Sequence, residues 1–287
     1  MTNPTTSGST DRLPTPNTAE AASLYQRLRG HLAVLRLHDA AEALPTVLDQ
    51  ASAEDLSMTA ALDRLLSIEV EATEARRLAG RLRFACLPTP ASLEDFDYDA
   101  AAGVDRKVIE ELATCRYLET ATNVLLIGPP GVGKTHLSVG LARAAAHAGY
   151  RTYFTTAADL AARCHRAAIE GRWATTMRFY AGPTLLVIDE LGYLPLPGEA
   201  AAALFQVVSQ RYMKTSIVMT TNRGVGKAHL FARTCAEVAL KRDMFAGIRV
   251  GRGGRAVGPR RGDRRDRSSL LRVSSRRLPR RVSGRSY

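Results

Sequence analysis

The chain has 287 residues, with 40 basic against 28 acidic side chains (a net charge of +12), 45% hydrophobic residues and 6% aromatic ones. That length holds one core of ordinary size and a smaller module, while no apolar run reaches the ~18 residues of a membrane span and the start lacks the basic-then-apolar layout of a signal peptide. Cys86, Cys115, Cys164 and Cys235 lie apart, with neither a C-x-x-C pair nor a His at ligand spacing, so the spacing supports neither a disulfide nor a metal framework, and reduced thiols in a cytoplasmic protein, with no membrane partner, are expected.

Residues 1–18 are rich in Thr, Ser, Pro and Asn and read as a disordered leader. From 19 to 86 the composition turns to Ala, Leu, Glu and Arg without strand-like alternation, which predicts a small all-α N-terminal module. Leu24, Leu28, Leu32 and Leu35 fall on one face of an amphipathic helix. Pro45 is expected to interrupt the helical pattern, which resumes over 58–84 with Leu62, Leu65, Leu66 and Ile68. Glu69, Glu71 and Glu74 precede Arg76, Arg77, Arg81 and Arg83 as acid-to-base pairs, read as a solvated face. Leu87-Pro88-Thr89-Pro90 marks a linker.

The second domain is expected over 91–246. Strand and helix patterns alternate there at 124–127, 134–147, 151–155, 157–169, 184–189, 199–213 and 216–221. That order predicts an α/β fold, a parallel sheet flanked by helices. Gly128, Pro129, Pro130, Gly131, Val132, Gly133, Lys134, Thr135 and His136 follow the first strand and complete the G-x-x-x-x-G-K-[ST] phosphate-binding loop. Its glycines let backbone N–H groups turn inward onto phosphates, and the following helix adds its positive end. Lys134 is placed to reach the β- and γ-phosphates of ATP, with the Thr135 hydroxyl on Mg²⁺. A glycine-rich structural turn is the bland alternative, made less attractive by the strand-loop-helix context.

The run Thr184-Leu185-Leu186-Val187-Ile188-Asp189-Glu190 reads as a strand buried on both faces and ending in two acids. Asp189 is expected to hold Mg²⁺ and Glu190 to act as general base toward water. Thr215 to Asn222 forms another apolar run, and Asn222 is the candidate for touching both γ-phosphate and water, with a turn-forming role as the alternative.

Taken together, the loop Gly128 to His136, the stretch Tyr153-Phe154-Thr155-Thr156-Ala157-Ala158-Asp159-Leu160, the run Leu186 to Pro195 and Thr220-Thr221-Asn222-Arg223 resemble an IstB-type ATPase. Such proteins are helpers of insertion-sequence transposases and are related to DnaC-type helicase loaders within the AAA+ class of P-loop NTPases. The resemblance covers residues 25–225, including Phe96-Asp97-Tyr98 and Ile109-Glu110-Glu111-Leu112. It implies ATP hydrolysis, ATP-dependent self-association, binding of double-stranded DNA and delivery of a cognate transposase to it. It also implies that the N-terminal helices bind DNA and self-associate. A helicase loader and a degenerate, inactive copy are the alternatives. A small-molecule kinase needs a second pocket and lid arginines, whereas Asp189 and Glu190 point to water as the nucleophile.

The end of the chain departs from that family. Residues 247–287 carry 14 Arg, no Lys and only Asp263 and Asp266, so they hold the whole excess charge and residues 1–246 are neutral. This tail reads either as a disordered nucleic-acid arm or as a frame-shifted end, and the abrupt change to Arg, Gly and Ser favours the second. The family's last strand is not legible after residue 225. Arg233 and Arg242 lie where a neighbour-directed arginine belongs, without a motif that assigns either.

Overall fold

The computed structural model describes residues 18–101, 103–191, 198–211, 213–222 and 245–249. The expected leader and the tail beyond Arg249 lie outside them, as do Arg233 and Arg242. The chain falls into two compact units, Met1–Arg77 and Leu78–Tyr287, so the division lies inside a helix rather than after residue 86.

Three helices are described toward the N-terminus: α1 (Thr18–Val34), α2 (His38–Ala53) and α3 (Met58–Ala85), which runs across the division. The first unit buries Leu32, Ala40, Leu44, Val47 and Leu65 against one another. Of the leucine stripe on α1 only Leu32 is buried, while Leu24, Leu28 and Leu35 are exposed. The break in the helical pattern also differs from the expectation at Pro45, which sits inside α2. The chain turns at Arg36 instead, with φ 61°. There the Leu37 N–H reaches the Leu32 carbonyl at 2.9 Å and the Arg36 N–H reaches that of Ala33 at 3.0 Å. This is a Schellman closure built on arginine rather than glycine.

The charged residues of α3 are not all a solvated face. Glu69 is 5% exposed and accepts the Ala40 N–H at 3.0 Å, at the start of α2. Arg76 donates to Glu69 at 3.1 Å and pairs with Asp39. A carboxylate at a helix N-terminus satisfies an otherwise unpaired backbone donor and meets the positive end of the helix.

The second unit is a five-stranded parallel sheet. Its strands are β1 (Asn123–Ile127), β2 (Thr152–Thr156), β3 (Leu185–Leu191), β4 (Ser216–Thr221) and β5 (Phe245–Arg249), in the order β2-β3-β4-β1-β5. Period-two alternation splits β1 to β4 between two cores. Val124, Leu126, Leu185, Val187 and Val218 pack on the side of α6 (Lys134–His147), α4 (Arg106–Ala113) and α5 (Arg116–Glu119). Leu125, Leu186, Ile188, Ile217 and Met219 pack on the side of α7 (Ala157–Ile169), α8 (Trp173–Ala181) and α9 (Gly198–Arg211). The apolar runs that predicted doubly buried strands are therefore buried on both faces.

Strand β5 pairs along β1 from Asn123↔Phe245 to Ile127↔Arg249, so a fifth strand lies across the boundary expected at residue 246. With a glycine among only five residues, Phe-Ala-Gly-Ile-Arg carries little strand signal of its own.

Two sets of interactions fix the ends of the second unit. Arg211, 1% exposed, donates to the carbonyls of Tyr180 (2.6 Å), Ser216 (2.9 Å) and Thr184 (3.3 Å), and burial lowers its pKa to about 10. Upstream, residues 89–93 run along α6: Arg143 holds the Ala91 carbonyl at 3.1 Å, and a Cβ added to Gly140 would lie 2.6 Å from Leu93 Cδ2 and 3.1 Å from its backbone nitrogen.

The hydrogen bond to Glu69 gives a pH-dependent expectation for the first unit. The Ala40 N–H, and after it Arg76, lower the Glu69 pKa in the fold. Its stabilisation is therefore full above the unfolded value of ~4.3 and is lost as pH falls through the lower folded value. Glu69→Gln should melt below the wild type at pH 7, and the gap should close on acidification. A constant gap in thermal melts followed by circular dichroism from pH 7 to about 2.5 would contradict this account.

Candidate nucleotide site

The chain enters the site from β1, where the Gly128 N–H donates to the Thr221 carbonyl at 3.2 Å and keeps the loop beside the end of β4. Gly131 and Gly133 take φ values of 77° and 84°, the left-handed region that a side chain disfavours. Gly133 is also the N-cap of α6 and lies under Phe96, whose ring carbon Cε2 is 2.5 Å from the position of an added Cβ. The loop needs glycine there for two independent reasons.

Lys134 is 6% exposed, and its Nζ donates to the Pro129 carbonyl at 2.7 Å across the loop. Burial lowers its pKa and the Asp189 carboxylate pulls the other way. Thr135 donates to Asp189 Oδ2 at 2.8 Å. Asp189, 4% exposed, takes a second hydroxyl hydrogen bond on Oδ1 from Thr220. Thr220 Oγ1 in turn accepts the Glu190 N–H at 3.0 Å.

A bulge produces this arrangement. Strand β3 pairs with β4 as Ile188↔Met219 and then Leu191↔Thr221, so Asp189 and Glu190 together oppose Thr220 alone. Bulges re-aim side chains at strand ends, and this one puts Glu190 at φ 59°. Glycine is the usual residue in that conformation, and holding a glutamate there costs ~1–3 kcal/mol. Asp189 and Glu190 line one cavity of about 260 Å³ together with Gly131, Gly133, Lys134, Thr135 and Thr220. Its oxygen donors, the Thr135 hydroxyl and the Asp189 carboxylate, suit a hard cation such as Mg²⁺. No cluster of three or more His, Cys, Asp or Glu exists among the described residues.

Six residues of the expected set lie off the cavity lining, among them Gly128, Pro129 and Pro130 at the start of the loop. The His136 ring lies 2.7 Å from the Ser92 carbonyl and edge-on to Phe96, away from the cavity lining. Val132 is buried in the α6-side core. Asn222 follows β4 just past the strand end and does not line the cavity, and its buried Oδ1 has no partner among the described residues. Thr220, two residues earlier on β4, lines the cavity instead.

Comparison with known proteins agrees with the loop. The profile of the family described as IstB-like ATP binding protein matches residues 30–240. A Geobacillus stearothermophilus protein named for insertion sequence IS5376 and ATP binding is 36% identical over 204 residues, 71% of this chain and 81% of its own length. A Pseudomonas aeruginosa protein named for insertion sequence IS21 and ATP binding is 36% identical over 193 residues, 67% of this chain and 73% of its own. Among solved structures, the crystal structure of the DnaC helicase loader has a TM-score of 0.44 at 24% identity, covering 50% of this chain and 86% of that one.

The geometry at Gly133 sets a direct expectation. Gly133→Ala should destabilise the second unit by ~1–3 kcal/mol in urea unfolding. Phe96→Ala removes a buried ring and is destabilising by itself, so the comparison is made in that background, where Gly133→Ala should cost less only by the steric share, because φ 84° remains. No cost of Gly133→Ala in the Phe96→Ala background would show that backbone strain contributes nothing.

Proposed function

The chain belongs to the family of IstB-like ATP binding proteins, and from that premise we propose that it hydrolyses ATP as the helper of a DNA transposase, self-associating on double-stranded DNA and recruiting the transposase to it. The observation that carries the hydrolytic half is the bulge in β3, which turns Asp189 toward Thr135 and sets Glu190 in the same cavity as Lys134. A site for binding alone has no need of a second acid held in a strained conformation beside the first.

The division of labour follows from the chemistry of each group. The loop N–H groups and Lys134 would bind the β- and γ-phosphates, with Lys134 exchanging the Pro129 carbonyl for phosphate oxygen. Thr135 and Asp189 would hold Mg²⁺, which neutralises charge on the phosphates when bound. Thr220 keeps Asp189 and Glu190 in register with each other. Glu190 would accept the proton of the attacking water. The names of the relatives place them in insertion sequences, which supports the DNA and transposase half of the reading. Among the described residues no helix is long and apolar enough to cross a membrane.

Steady-state ATPase assays with and without duplex DNA, together with nucleotide binding, test the reading. Lys134→Ala should abolish nucleotide binding. Glu190→Gln should keep it while turnover falls by ~10²–10⁴. Thr220→Val, close in shape but without the hydroxyl, should weaken Mg²⁺-dependent binding by ~10-fold or more. Native turnover in Glu190→Gln would move the general base to another residue, and turnover indifferent to DNA and to a transposase would remove the helper role.

A further inference from the structure

The sheet ends at β2, which pairs with β3 on one side only. The Leu185 N–H donates to the Arg151 carbonyl at 3.2 Å. Main-chain groups alternate sides along a strand, so residues 151, 153 and 155 face β3. The N–H and C=O of Phe154 and the N–H of Thr156 then face the outer edge, and none of the three has a backbone partner among the described residues. Edge strands are commonly blunted by lysine, proline or a bulge. Thr152-Tyr153-Phe154-Thr155-Thr156 has none of these and consists of residues that favour strands.

A hollow of about 450 Å³ adjoins this edge. Tyr153, Phe154, Thr155 and Thr156 all line it, although their side chains alternate between the two faces of the sheet. It therefore lies beside the strand rather than over either face. Cys86 and Pro88, after α3, also line it, as do Asp159, Arg163 and Arg166 of α7. Arg163 donates to the Tyr153 hydroxyl at 3.1 Å, and Arg166 is exposed. The Asp159 carboxylate accepts the Thr156 hydroxyl at 2.8 Å as part of the cap of α7. The lining thus mixes two guanidinium groups with a carboxylate, hydroxyls and unpaired main-chain groups. A polyanion meets a like charge there, whereas a peptide brings amide donors and acceptors together with single charges.

We propose that the outer edge of β2 is a docking groove for an extended peptide segment of a partner protein, paired through its main chain with Phe154 and Thr156 and carrying one acidic side chain toward Arg163 and Arg166. Strand addition uses the open main-chain groups, and the arginines select an acid among the segments able to pair. The volume falls within the ~300–1,000 Å³ of ligand clefts. The chain's own arginine-rich end has the wrong charge for this groove. Docking of this kind requires neither ATP hydrolysis nor DNA and so goes beyond the proposed function.

The probe is a phage-displayed library of random heptapeptides, panned on the full chain. Binders should be rich in β-branched residues and carry an Asp or Glu. The strongest is made with a fluorescein label, and its affinity is read by anisotropy. Methylating its amide nitrogens one at a time should weaken binding about tenfold or more at alternate positions of the paired stretch and within about twofold between them, because only every second N–H faces β2. Arg166→Gln should weaken binding about tenfold or more. Arg178→Gln, an equal charge change on α8 outside the hollow, should stay within about twofold of wild type. Hydrogen exchange at the Phe154 and Thr156 amides should slow in the complex. If thermal melting shows Arg166→Gln unfolded, replacement of the peptide's acid by its amide is read instead, with the same loss expected. A library without a binder, methylation losses without an alternate period, or equal losses in Arg166→Gln and Arg178→Gln overturn the proposal. So does a peptide displaced by a mixed-sequence oligonucleotide and indifferent to methylation, which makes the hollow an anion site. The alternate pattern in a chain without ATP turnover supports the groove and counts against the hydrolytic reading alone.

Discussion

One buried carboxylate ties the site together. Asp189 receives the Thr135 hydroxyl from the first turn of α6 on one oxygen and the Thr220 hydroxyl from β4 on the other. A carboxylate that is 4% exposed is costly to leave unpaired, so the two hydroxyls stabilise the fold here. Three segments far apart in the sequence, the loop after β1, the end of β3 and the end of β4, are held in one geometry by this residue. Glu190 inherits its position from the same arrangement through its backbone, since its N–H is bound to the hydroxyl that holds Asp189. The site is thus built by backbone register first and side-chain placement second.

Much of the second unit is legible in the sequence because a parallel sheet leaves a strong trace. Strands covered on both faces must be apolar at consecutive positions, and β1, β3 and β4 are. The phosphate loop is legible for a different reason: Gly131 and Gly133 hold backbone angles that few other residues tolerate. Where the fold departs from common local signals, expectation and structure part. Arg36, Asp55 and Cys86 take left-handed angles at helix ends that glycine usually marks, so α1 to α3 have no visible stops. Pro45 lies inside α2, where packing of Leu44 and Val47 on either side outweighs the local penalty.

The candidate site shows the same division. Residue types at fixed spacing reveal Lys134, Thr135, Asp189 and Glu190, and the structure gathers all four around one cavity. The bulge is set by how β3 registers on β4, a pairing of residues 30 apart that no local pattern encodes. Thr220 stays hidden for that reason, since a threonine in a β run is ordinary until its partner strand is known. His136 adjoins the loop in sequence, but on α6 the next residue points another way, toward Ser92.

Strand β5 bears on how the second unit can be handled as a separate protein. Strand β1 gives one edge to β4 and the other to β5 over all five of its residues. A chain cut short of Phe245 would leave the strand that feeds the phosphate loop with a bare row of N–H and C=O groups, open to pairing with another chain. Such a fragment keeps every residue around Lys134 and Asp189, and yet it is prone to edge-to-edge aggregation. An expression boundary for this unit therefore belongs after Arg249, beyond the point where the sequence turns to arginine and glycine and invites an earlier stop.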